Sequence, residues 1–164
     1  MKKILVAMLF LSVFMVVSCD GGTNQNTGPC SGSFPNSHAG LCWSDRAPNP
    51  MNWDDAMDYC QNLGGRLPTI SELRTLIQNC PGTETGGDCE VTDSCLSSED
   101  CWNNPCSGCE YDSSGKYSVF GDTNFFWSSS ERSDGTGYAW DVGFSVGDVD
   151  VSSKYLSNYV RCVR

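Results

Sequence analysis

The order of patterns along the chain predicts an α+β domain. Two amphipathic helical patterns fall in the first half, short strand patterns fill the last third, and a cysteine-dense stretch separates them. That stretch holds six of the eleven cysteines, between Cys80 and Cys109.

At 164 residues the chain has room for one domain of ordinary size and a tail. Lys2 and Lys3, an apolar run from Ile4 to Val17 and then Ser18 make residues 1–18 a secretory signal peptide. The run is too short to span a bilayer comfortably. Val16-Val17-Ser18-Cys19 resembles the bacterial lipobox, which implies a diacylated Cys19 carrying palmitate. The plainer reading is an unlipidated signal cut nearby, with Cys19 a spare thiol. Parity favours the lipid, because ten cysteines remain without Cys19, an even number for pairing outside the cytoplasm. Residues 19–33, rich in Gly, Thr, Asn and Ser, read as a flexible tether, and the domain as residues 34–164. The expected address is the bacterial cell envelope, lipid-anchored to the inner or outer membrane and exposed to the periplasm or the cell surface.

Without Lys2 and Lys3, eight basic residues face twenty acidic ones, a formal charge of −12. Such a chain is repelled by nucleic acid and other polyanions, so nucleic acid is excluded as a partner.

Within the domain, His38 to Ser44 reads as an early strand, with Cys30 and Cys42 close enough in sequence to staple it. Asn52 caps a helix whose Trp53, Ala56, Cys60 and Leu63 share one face, and Gly64 and Gly65 end it. Thr69 and Glu72 form a capping box for a second helix, with Ile70, Leu73, Leu76 and Ile77 inward. Residues 80–116 form an insertion with almost no apolar side chains, so cross-links replace burial there. Its cysteines Cys80, Cys89, Cys95, Cys101, Cys106 and Cys109 allow fifteen connectivities. Beyond it, Tyr138, Trp140, Val142 and Phe144 alternate with Ala139, Asp141 and Gly143 as a half-buried strand. Val149 and Val151 begin a return strand, and Tyr159 to Arg164 ends the chain as another.

The order Trp53, Ala56, Cys60, Gly64, Leu67, Ile70, Glu72 resembles the first half of the C-type lectin-like domain. That resemblance implies two helices packed on short antiparallel strands, and a disulfide from Cys60 to Cys162. The set Gly40–Trp43, Asn52-Trp53, Arg66–Thr69, Phe126–Glu131, Ala139-Trp140 and Tyr159–Arg164 is similar to the Lcl C-terminal domain family. Two departures stand out. Gly65 occupies a place where many members of that family have tryptophan, and the cysteine-rich insertion is an elaboration of the pattern. The calcium motifs of sugar-binding C-type lectins are absent, and Trp102-Asn103-Asn104-Pro105 matches them only superficially. The terminal segments are also similar to formylglycine-generating enzymes, whose chemistry requires reactive thiols.

All ten cysteines other than Cys19 are expected in structural disulfides, and no catalytic residue is expected. Trp43, Trp53, Trp127 and Trp140 read as core, and Ser128 to Ser130 as serines that satisfy local backbone groups. Arg66 is expected to span packed elements through several donors. No cofactor is expected. Calcium would be the exception, with Asp88, Glu90 and Asp93 as its candidate ligands and Glu99 and Asp100 nearby. Trp102 and Tyr111, with Asn103 and Asn104, are the candidate ligand-binding residues, because an aromatic with no core to fill is free to bind. The sequence therefore points to an adhesion or binding module for a glycan or surface protein, acting through the disulfide-stapled loop. A passive structural surface component is the alternative, and an enzyme of the formylglycine-generating type the third reading.

Overall fold

A computed structural model describes residues 30–164. The expected leader, Cys19 and residues 19–29 of the tether lie outside the described residues. Residues 30–33, which composition assigns to the tether, are held to the domain. Cys30 is bonded to Cys42, and the Ser31 carbonyl accepts hydrogen bonds from Phe34 N and from Arg164 Nη2.

The stretch expected as one early strand is a hairpin, β1 (Asn36–His38) and β2 (Leu41–Trp43). Ala39 and Gly40 turn it with φ of 49° and 78°. Two consecutive left-handed residues match the twist of a tight antiparallel hairpin. Helix α1 (Trp53–Asn62) is capped by Asn52 Oδ1, which accepts from Asp55 N, and it buries Trp53, Ala56 and Cys60. Helix α2 (Ile70–Arg74) carries the full Thr69–Glu72 capping box but is shorter than its periodicity predicts. Beyond Arg74 the amides of Thr75, Leu76 and Ile77 bond three residues back, so the helix tightens and ends. Leu76 and Ile77 stay buried all the same.

The main sheet is antiparallel, in the order β3 (Phe125–Glu131), β4 (Tyr138–Gly143), β5 (Asp148–Ser153). Alternation predicts β4 half-buried, yet Ala139 and Asp141 have no more exposure than Trp140 and Val142. The sheet is covered on both faces. One face sends Phe126, Trp140, Val142 and Val149 into a core shared with α2 and the insertion. The other sends Trp127 and Ala139 into a second core with Phe34, Trp53, Ala56, Leu67 and the Cys60–Cys162 disulfide.

The C-terminal segment, expected as a strand, is extended but forms no ladder. Tyr159 exchanges backbone bonds with Phe125 and Trp127, Val163 with Arg66, and Arg164 with Cys42, so it pairs with several segments in turn. Buried Arg161 donates from Nε and Nη2 to Asp122 at 2.7 and 3.1 Å, and from Nη1 to Ser44 O at 2.9 Å. Gly65 also faces this segment. A Cβ there would stand 2.5 Å from Phe34 Cζ and 2.6 Å from Val163 O, so the Phe34 ring excludes any side chain at this position.

The insertion is also not what its composition predicts. It has no separate core, but Cys80, Cys89, Val91, Cys101 and Cys106 are buried and, with Tyr117 just beyond the insertion, continuous with the core on the α2 face of the sheet. The cysteines act as apolar side chains as well as cross-links.

Asp122→Ala, which strands the buried Arg161 guanidinium, is expected to cost about 3–5 kcal/mol. A chemical denaturation midpoint unchanged from wild type would show that the ion pair does not hold the C-terminal segment.

Candidate functional site

Three disulfides organise the insertion, Cys80–Cys109, Cys89–Cys106 and Cys95–Cys101, and each lies within the sequence span of the one before. This concentric arrangement is one of the fifteen that the sequence left open. A one-turn helix α3 (Ser98–Cys101) and a 3-10 turn (Asn104–Ser107) sit inside it. Gly108 is pressed against β5, where a Cβ would come within 2.5 Å of Val146 O and 2.9 Å of Asp148 N. Cys109 N donates to Val146 O at 2.7 Å.

On this platform Trp102 and Tyr111 are exposed, at 40% and 73%. Trp102 is not a free side chain, since its Nε1 donates to Val149 O at 2.9 Å and fixes the ring against the β5 edge. The other four tryptophans are buried, and each also donates its indole N–H to a backbone carbonyl. Asn103 serves the loop itself, with Nδ2 donating to Asp88 O at 2.9 Å, while Asn104 opens the 3-10 turn at the surface. The structure therefore ties Trp102 and Asn103 into the fold and leaves Tyr111 projecting.

The candidate calcium ligands do not converge. Asp93 exchanges hydrogen bonds with Ser71, taking its amide at 3.1 Å and giving its own to Ser71 Oγ at 2.8 Å. Asp88 and Glu90 are exposed. Among the described residues no group of three or more His, Cys, Asp or Glu side chains stands in a geometry that would hold a metal ion.

Arg66 does not span packed elements as expected. It lies largely exposed and pairs bidentately with Glu72 at 2.6 and 2.7 Å. Partial burial raises the proton affinity of Glu72, but the Arg66 and Thr69 hydrogen bonds outweigh it and hold the carboxyl below its ordinary range. The serine run acts as the sequence reading has it. Ser128 Oγ donates to Trp140 O, Ser129 Oγ to Pro68 O, and Ser130 Oγ accepts from Ile70 N.

Two features escape sequence reasoning. The first is Arg74, buried at the end of α2, whose guanidinium donates to the carbonyls of Thr83, Glu84 and Val91. It is the peg on which the first half of the insertion hangs. Its only sequence signal is an arginine one residue after Leu73, on the inward side of a helix. The second is Asp141, placed outward by alternation but fully buried. Asn158 Nδ2 donates to its Oδ2 at 2.8 Å, and its Oδ1 has no hydrogen-bond partner. Burial, with Asp150 opposite it and Asp148 nearby, pushes its pKa up to about 8. Burial and Asp150 likewise raise Asp148, to about 6.

The fold and this platform define the protein as a disulfide-stapled α+β domain whose helix-side core is closed by its own C-terminal segment. The model of the Lcl C-terminal domain family matches residues 34–164, and the chain belongs to that family. No curated protein and no solved structure matches it.

The Asp141 carboxyl takes up its proton more readily in the folded state than in the unfolded chain. Stability from this group is therefore full below pH 4 and falls as the pH rises toward 8. Asp141→Asn is expected to flatten that fall and to raise the melting temperature more at pH 8.5 than at pH 5. Parallel melting curves for variant and wild type across this range would refute the assignment.

Proposed function

We propose that this chain is an envelope-anchored lipoprotein whose Lcl C-terminal domain is a binding or adhesion module for a glycan or protein ligand, with no catalytic activity of its own. The observation that carries the reading is the pair Trp102 and Tyr111, exposed on an insertion held by three nested disulfides. Exposed aromatic surface on a rigid support is costly to maintain without a partner. It also lowers the ordering entropy that binding would otherwise lose. A C-type lectin-like architecture agrees with the helix pair and with the Cys60–Cys162 link to the C-terminal segment. Five disulfides among the ten cysteines of residues 30–164 favour binding over a formylglycine-type thiol oxidation, which needs a reducible, reactive pair. The passive structural component stays as the second reading, favoured by the protease resistance that such cross-linking confers.

The test is a glycan and surface-protein array probed with the folded domain, with and without calcium. Reproducible binding that drops at least tenfold in Trp102→Ala and Tyr111→Ala is the expected result, and silence across the array would favour the passive role. For the anchor, Cys19→Ser is expected to abolish metabolic labelling with palmitate and to release the protein from membranes. Undiminished labelling would refute acylation at that cysteine.

A further inference from the structure

Arg74 is 3% exposed, yet among the described residues no carboxylate stands within ion-pair distance of it. Three carbonyls, those of Thr83, Glu84 and Val91, solvate the guanidinium. They take three of its five N–H donors and none of its charge. Burial accordingly lowers its pKa. Glu72 pairs with Arg66, Glu84 Oε1 accepts from Cys80 N, Asp93 Oδ1 accepts from Ser71 N, and Asp88 and Glu90 are exposed.

Arg74 is one of five residues, with Ser71, Thr85, Gly86 and Thr92, that line a cavity of about 50 Å³. The lining holds one cation, three hydroxyl residues and a glycine, with no carboxylate. We propose that this cavity takes a single carboxylate of a peptide partner, an acidic side chain or a chain terminus, which pairs with Arg74. The proposal rests on the reading of the insertion as a recognition element, and it names the ligand group. A planar carboxylate matches the remaining donors of a guanidinium, and the surrounding hydroxyls supply further hydrogen bonds. The size of the cavity selects the source. It has room for a few waters or one carboxylate group, and not for a sugar ring. A uronic acid bears its carboxylate directly on the ring and is held at the mouth, whereas a glutamate side chain carries its carboxylate on a flexible stem. The acidic balance of the chain, a formal net charge of −10, permits one such anchor while opposing a polyanion.

The test uses the folded domain with its disulfides intact, titrated with acetate, N-acetylglutamate amide and glucuronate in sodium chloride at constant ionic strength. Acetate and N-acetylglutamate amide are expected to shift the Gly86 and Thr92 amide resonances saturably. At ten times its Kd each should also raise the melting temperature by roughly 4 °C. Thr85→Glu, which sets a fixed carboxylate at the cavity, is expected to weaken both at least tenfold without unfolding the domain, and Arg74→Lys to weaken them where it folds. An equal response to chloride, an equal response in Thr85→Glu, or glucuronate binding as tightly as N-acetylglutamate amide would overturn the proposal. Array binding that depends on Trp102, with no carboxylate response, would overturn this inference alone and leave the binding role standing.

Discussion

The structure depends on the threading of its last six residues. Between Tyr159 and Arg164 the backbone bonds in turn to β3, to Ala47 and Ser44, to Arg66 between the two helices, and to Cys42 of the first hairpin. Cys162 adds a covalent tie to α1, and Arg161 an ion pair to Asp122. All of these contacts are distant in sequence, so the chain loses loop-closure entropy before any of them forms. The Cys60–Cys162 bond spans 102 residues and removes that entropy from the unfolded state, by about 4–5 kcal/mol in the chain-entropy account. The C-terminal segment is thus the common partner of hairpin, helix and sheet.

A second constraint sits on the other face of the sheet. The insertion brings four buried cysteines and Val91 down onto Trp140 and α2, and Arg74 holds the Thr83 and Val91 carbonyls of its first half. Carbonyl dipoles are a weaker answer to a buried charge than a carboxylate. Arg74 therefore both positions the loop and stays electrostatically unmatched. The rigid platform and the unmatched cation arise from the same contact, and that links the packing of this loop to what it is proposed to recognise.

The sheet carries a complementary tension. Asp141, Asp148 and Asp150 share one face of the β4–β5 hairpin, and the first two have buried oxygens without partners. Among the described residues no salt bridge pairs Asp141 or Asp148, and burial raises the proton affinity of both. In an acidic protein this couples sheet stability to pH at a place that composition alone would assign to solvent.

Much of the domain was legible in local pattern. Asn52, Thr69 and Glu72 announced both helix starts because capping is a contact between near neighbours. The inward sets on α1 and α2 followed from helical period, and the family from ordered segments such as Arg66–Thr69 and Tyr159–Arg164. The strand alternation failed at Asp141 because period two reports which residues share a face, not whether a second layer covers the other one. The length of α2 was misread because its inward residues continue into a tighter turn. Exposure of Trp102 and Tyr111 was legible, but the tie from Trp102 to Val149 was not. By itself the sequence determined the two main helix starts with their caps, the strand pattern of the last third, the even set of cysteines and the family. Only the tertiary structure decided which cysteines pair in the insertion, that Arg74 is buried beside a cavity, and that the C-terminal segment serves several partners. Each of these is a meeting of residues far apart in the chain, and no local period or spacing encodes it.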